Sequence, residues 1–169
     1  MRKLLLIGLG CVLLFSSAVS AGEFKSGLEP TGFRGITWGT KIADLAGFKL
    51  KRMEDRFGGL DVYSREGEKA EVWGVPVAAI LYFSWKGKFF RVSILVAGLK
   101  SYQNFRDVVF KRFGVGELQP APAPGVTEFQ WKGKITTMIL RYEAAAESGS
   151  LIISSRKLED RLLAESLER

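Results

Sequence analysis

The residues that decide the fold run Ile80-Leu81-Tyr82-Phe83-Ser84-Trp85-Lys86-Gly87-Lys88-Phe89-Phe90-Arg91-Val92-Ser93-Ile94-Leu95-Val96. β-Branched and aromatic residues crowd both sides of Lys86-Gly87, and such residues suit a pleated, half-buried surface. Gly at the second turn position permits the positive φ that a tight hairpin demands. The stretch therefore predicts a hairpin with arms Val72 to Trp85 and Lys88 to Val96. A two-residue loop pairs Trp85 with Lys88, Phe83 with Phe90, Leu81 with Val92 and Ala79 with Ile94. One face is then almost wholly apolar, while the other sets Tyr82 against Arg91 and Ile80 against Ser93. A bulged turn would shift this register by one residue and keep the contrast between an apolar and a mixed face.

Downstream, Ser101 to Phe113 reads as a helix: Tyr102, Phe105, Val109 and Phe113 share a face and Gly114 supplies the stop. Gln119 to Gly125 carries three alternating prolines, which can continue neither a helix nor a central strand, and predicts a stiff surface loop. A second hairpin, Thr127 to Trp131 and Lys134 to Tyr142, contains Trp131-Lys132-Gly133-Lys134, a copy of Trp85-Lys86-Gly87-Lys88. A degenerate helix-plus-sheet duplication and a coincidence of short turns both account for the copy. Leu151 to Ser154 predicts another strand, and Leu158, Leu162 and Leu167 a closing amphipathic helix. Upstream, Thr40 is placed to cap a short helix using Ile42, Leu45 and Ala46 and ending at Gly47. Phe48 to Ser64 is mixed, with Leu60 to Tyr63 reading as a strand. The sum is a single α+β domain over residues 22–169. Its antiparallel β-sheet is built from hairpins, with about three helices on one face, over the Trp85/Phe83 and Trp131/Phe129 stripes.

The N-terminus has the three parts of an export signal. Arg2 and Lys3 are basic, Leu4 to Phe15 are apolar, and Val19-Ser20-Ala21 fit the small-residue rule for cleavage. The apolar core is about a dozen residues, short of the roughly 20 needed to span a bilayer. Cys11 lies inside that core rather than at its end, so it reads as part of the apolar segment and not as a lipidation site. The expectation is a signal peptide at residues 1–21, cut between Ala21 and Gly22, and a periplasmic or secreted product without a stable membrane span. Cleavage would leave 148 of the 169 residues and lower the formal net charge from +7 to +5.

Residue types then exclude most chemistry. The chain has no histidine, and its one cysteine is Cys11, inside the leader. The usual nucleophile–base pairs, disulfides and common zinc sites are therefore out of reach of the processed form. No phosphate-loop motif or Asp-rich calcium loop occurs. No catalytic, cofactor-binding or metal-ligating residue is assigned, and no cofactor is expected. Glu54-Asp55, Glu66, Glu68 and Glu159-Asp160 stand beside Lys or Arg in polar stretches and read as solvated surface. Trp85 and Trp131 read as core, whereas Trp38 and Trp73 adjoin glycines at chain bends. Dispersed positive charge suits an anionic partner and seldom marks a nucleic-acid site.

Phe33-Arg34-Gly35-Ile36-Thr37-Trp38-Gly39-Thr40, followed by the aromatic hairpin of Val75 to Val96 and a helix ending in Phe-Gly, resembles a set of uncharacterised bacterial exported proteins. Those open their mature domain with Phe-x-Gly-Ile-x-Trp-Gly-Thr. The resemblance implies an envelope protein with an α+β fold and carries no catalytic residues. The expected function is a non-catalytic binding or accessory module in the cell envelope, with an unknown envelope protein or small ligand as partner and no nucleic acid. The mixed hairpin face centred on Tyr82 and Arg91 is the expected partner surface, since Tyr and Arg are favoured at binding hot spots. The rival is a carboxylate-dependent hydrolase of envelope glycan, which needs neither His nor Cys. N-terminal sequencing of the processed form should return Gly22-Glu23-Phe24, and a product beginning at Cys11 would overturn the cleavage assignment.

Overall fold

The computed structural model describes residues 22–54 and 59–167; residues 1–21, expected to form a leader, and Asp55 lie outside them. Its strands are β1 (Gly32–Phe33), β2 (Ile36–Thr37), β3 (Phe48–Glu54), β4 (Leu60–Arg65), β5 (Glu71–Val72), β6 (Val75–Pro76), β7 (Ala79–Trp85) and β8 (Lys88–Ala97). Helix α1 (Leu99–Phe113) follows, then β9 (Glu117–Leu118), β10 (Val126–Lys132), β11 (Thr136–Glu143), β12 (Ser148–Ser155) and α2 (Arg156–Leu167). Eight strands form one antiparallel sheet in the order β3-β4-β7-β8-β12-β11-β10-β9, and β1-β2 and β5-β6 are small separate ribbons. The fold is thus α+β around a large antiparallel sheet.

The deciding hairpin forms with its two-residue turn. Trp85 faces Lys88, and Lys86 and Gly87 take φ of 50° and 74°. The expected register then fails, because Phe83 faces Arg91 while Ser84 faces Phe89, leaving Phe90 as the extra residue of a bulge. Beyond the bulge every residue of β8 changes face relative to expectation. Val92 now lies opposite Tyr82 and Ile94 opposite Ile80.

The sheet is consequently apolar on both sides. On one side Ile80, Tyr82, Phe89, Val92, Ile94 and Val96 join Trp131, Met138, Leu140, Leu151 and Ile153 beneath Tyr102, Phe105, Val109 and Phe113 of α1. On the other, Leu60, Val62, Trp85 and Phe90 pack under Leu158 and Leu162 of α2. Two expectations are corrected here. The helices do not share a face, and Trp85 and Trp131, both buried, belong to opposite sides.

Only two α-helices form among the described residues, not about three. The segment expected after Thr40 makes a single 3-10 turn, Ile42–Asp44. Its backbone is engaged with the sheet: Gly39 N donates to Phe89 O at 2.7 Å, Phe89 N to Thr40 O at 2.8 Å and Ile42 N to Gly87 O at 3.1 Å. Phe48 to Glu54, which sequence pattern left unassigned, is an edge strand whose exposed Lys49, Lys51 and Arg52 obscure any alternation. Leu167 is 87% exposed and takes no part in the α2 face. α1 matches its expected apolar face and stop, with Gly114 N bonded to Phe110 O.

The two Trp-Lys-Gly-Lys copies make different turns at non-equivalent places. The first joins the second and third strands of the meander β4-β7-β8, the second the first and second strands of β10-β11-β12. In the second copy Lys132 pairs with Thr137, and Gly133 N bonds Thr136 O across a wider loop. Gly87 is needed for its positive φ. Gly133 is needed for space, since a Cβ there would stand 2.0 Å from Glu29 Oε1.

At the far end of the sheet the Tyr102 ring stacks on Tyr142 with centroids 4.8 Å apart and lies over Gly149 of β12. A Cβ on Gly149 would meet Tyr102 Cδ2 at 2.5 Å. Gly149→Ala should cost about 1–3 kcal/mol, the usual range for overpacking, measured by urea denaturation. An unchanged midpoint would mean that the ring is not seated there.

Candidate functional site

The bulge separates the two residues expected to form one surface. Tyr82 is wholly buried on the α1 side, its ring 5.0 Å from Phe48 and 5.8 Å from Phe89. Its hydroxyl donates to Glu68 Oε1, and Arg34 bridges the same carboxylate at 2.5 Å. Arg91 lies on the α2 side, opposite Phe83 and Ser154. Its Nε donates to Ser154 Oγ at 3.1 Å, and its guanidinium pairs with Glu159. No solvent-facing patch holds both, and each side chain ties the sheet to a neighbouring element.

The carboxylates read as surface divide in the same way. Glu66 is exposed and meets Lys49, but Glu68 keeps only 9% of its side-chain exposure, buried by Tyr82 and Arg34. Glu159 reaches back to the sheet, to Arg91 through one oxygen and Thr137 Oγ1, at 3.0 Å, through the other. Glu29 is a clasp: its Oε1 accepts from the backbone amides of Ile135, at 2.6 Å, and Thr136, at 2.8 Å. Glu29, Glu68 and Glu159 are each engaged by structural donors. Among the described residues no group of His, Cys, Asp and Glu is placed to hold a metal, and no helix is long and apolar enough to cross a membrane.

A different cluster emerges at one end of the sheet. Because β12 runs antiparallel to both β8 and β11, the start of β8, the β10-β11 turn and the start of α2 all meet there. The second lysine of each Trp-Lys-Gly-Lys copy, Lys88 and Lys134, lines the same cleft of about 450 Å³. Lys157 and Arg161 of α2 join them, with no carboxylate in the lining. None of the four cations forms an ion pair with a described residue, whereas Lys86 beside them is held by Glu165 at 2.5 Å.

The lining also has apolar members, Trp38, Ile135 and Leu158. Trp38 is fixed, its Nε1 donating to Thr136 Oγ1 at 2.9 Å and its ring lying 4.9 Å from Phe89. The start of α2 is fixed to the neighbouring turn. Arg156 N donates to Ile135 O at 2.8 Å and Arg156 Nη1 to Gly133 O at 2.8 Å, docking α2 on the turn. Ser155, 4% exposed, also lines the cleft, and its hydroxyl makes no hydrogen bond to a described residue. The arrangement concentrates positive charge beside a rigid aromatic face, which attracts and orients an anion.

Comparison with known protein families, curated proteins and solved structures gave no match. Sequence reasoning missed the cleft although its signal was present. The repeated tetrapeptide carries the lysines, but their meeting depends on strand order.

Burial of the Tyr82 phenol, and next its bond to the Glu68 carboxylate, push its pKa well above the ordinary value of 10; burial likewise pushes Tyr102 up to about 12. The unfolded chain releases these protons near pH 10 and the folded chain only above it. The associated stability is therefore whole below about pH 10 and declines as pH rises further. Tyr82→Phe should flatten that alkaline decline while costing about 1 kcal/mol at neutral pH for the lost hydrogen bond. Thermal melts across the alkaline range test this, and an unchanged slope would show that folding does not raise the pKa of the Tyr82 phenol.

Proposed function

We propose that this chain is an exported protein of the bacterial cell envelope that serves as a non-catalytic binding module, taking an anionic ligand in the cleft between Trp38 and the start of α2. The observation that carries the reading is the company of Lys88, Lys134, Lys157 and Arg161, four cations lining one cleft without a carboxylate. Unpaired like charges brought together repel one another, and an anion relieves that repulsion. The engagement of Glu29, Glu68 and Glu159 in structural bonds favours binding over carboxylate-dependent hydrolysis. The three-part leader supports the envelope address. Trp38 and Gly39, which line the cleft, belong to the segment that resembles exported proteins.

The test is a tryptophan-fluorescence titration of residues 22–169 with pyrophosphate, citrate and sulfate. Saturable binding is expected, weakened at least about tenfold in Lys134→Glu/Lys157→Glu, because bonds to charged groups contribute about 1.5–3 kcal/mol each. Lys100→Glu, at the opposite end of β8, should leave binding intact. Failure of every anion to bind would overturn the reading.

A further inference from the structure

Resting on that reading, we infer that the ligand's anionic group is a phosphomonoester, seated at the N-terminus of α2 with its ester substituent on the Trp38–Ile135 wall. The donors exceed what a carboxylate can use. The first amides of a helix have no intrahelical acceptor. Here the Arg156 amide is satisfied by Ile135 O, which leaves those of Lys157 and Leu158, both cleft residues. Ser155, more than nine-tenths buried, adds a hydroxyl without a partner among the described residues.

The charge pattern points the same way. The positive end of a helix dipole disfavours cations, yet α2 opens with Arg156 and Lys157. Its first-turn acid, Glu159, is drawn away to Arg91 and Thr137. A carboxylate or a sulfate ester brings one negative charge. A phosphomonoester brings about −1.5 to −2 at neutral pH and three strong acceptor oxygens, matching two amides, a hydroxyl and four cations. Helix N-termini are suited to such groups. The fixed indole of Trp38, with Ile135 at 46% exposure and Leu158, gives the alcohol moiety an apolar or ring-shaped seat. Both a soluble phosphomonoester and a phosphomonoester lipid headgroup present this chemistry.

The cleft supplies its own control. The charged groups facing it are Lys88 from β8, Lys134 from the β10-β11 turn, and Lys157 and Arg161 from α2; the Trp38-Gly39 segment adds none. The lining holds no carboxylate, and the chain has no histidine. The ligand's second ionisation lies near pH 6, so among the groups that meet in the cleft it is the ligand that changes charge around that pH.

Calorimetry of residues 22–169 with phenyl phosphate and phenyl sulfate, at about pH 7.5 and about pH 5, tests the assignment. Phenyl phosphate should bind with one-to-one stoichiometry and lose about tenfold in affinity at the lower pH, following its dianion fraction. Phenyl sulfate should bind more weakly and without pH dependence. Ser155→Ala should weaken phenyl phosphate more than phenyl sulfate without changing the melt.

If the two esters bind equally and independently of pH, yet still require Lys134 and Lys157, the anion site stands and the phosphomonoester assignment falls. If neither ester nor any other anion binds, both readings fall. Sedimentation with phosphatidylcholine vesicles, with and without phosphatidic acid, separates the sources. Capture only by phosphatidic acid, with weak phenyl phosphate binding, assigns the lipid headgroup, and the converse assigns the soluble ester.

Discussion

One extra residue in one strand governs how this molecule divides its apolar side chains. Phe90 bulges from β8, so Phe89 enters the α1 core with Val92, Ile94 and Val96 while Phe90 faces α2. A regular ladder with the same turn would stand Val92 and Ile94 on the side of Phe83 and Leu81, and Tyr82 would face Arg91. The bulge instead gives Tyr82 an apolar cross-strand partner in Val92 and turns Arg91 toward α2. There the guanidinium lies 5.1 Å from the Phe90 ring and meets Glu159. The first turn of α2 is thereby anchored to the sheet, and with it Ser155, Lys157 and Arg161.

The cleft is a consequence of topology reinforced by a clasp. Strand order brings two turns and a helix start to one end of the sheet, and the segment from Glu29 to Ile42 then locks them. Glu29 fixes the backbone of Ile135 and Thr136, Trp38 bonds Thr136, and the Thr136 hydroxyl bonds Pro30 O at 2.5 Å. These bonds fix the backbone and the indole that frame the site, so less of the cleft has to be ordered when a ligand enters.

Much of the fold was legible because it depends on local pattern. The face of α1 from Tyr102 to Phe113, its stop at Gly114, the Lys86-Gly87 turn and the burial of Trp85 and Trp131 all follow from spacing and turn chemistry. What escaped depends on long-range facts. The bulge falls on Phe90, and the adjacent Phe89 and Phe90 read equally well in either register. The helix expected from Thr40 yields to pairing between Gly39–Ile42 and the start of β8. Glu68 sits among polar residues in sequence, yet is buried by Arg34 and Tyr82 from distant segments. The cleft was the least visible feature, since Lys88 and Lys134 are far apart in the chain and meet only because β12 separates their strands.

The clasp also has a temporal side. Glu29 bonds residues 106 and 107 positions away, Trp38 reaches 98 positions to Thr136, and Gly22 O accepts from Lys132 N. The first segment of the described chain thus has several of its partners in the last third, and those bonds cannot form until the β10-β11 turn exists. Contacts of such sequence separation slow folding and form late, because chain entropy is lost before they can stabilise anything. The hairpin β7-β8 with α1 is local and can form early. The Glu29 and Trp38 bonds to the β10-β11 turn are therefore expected among the last to form.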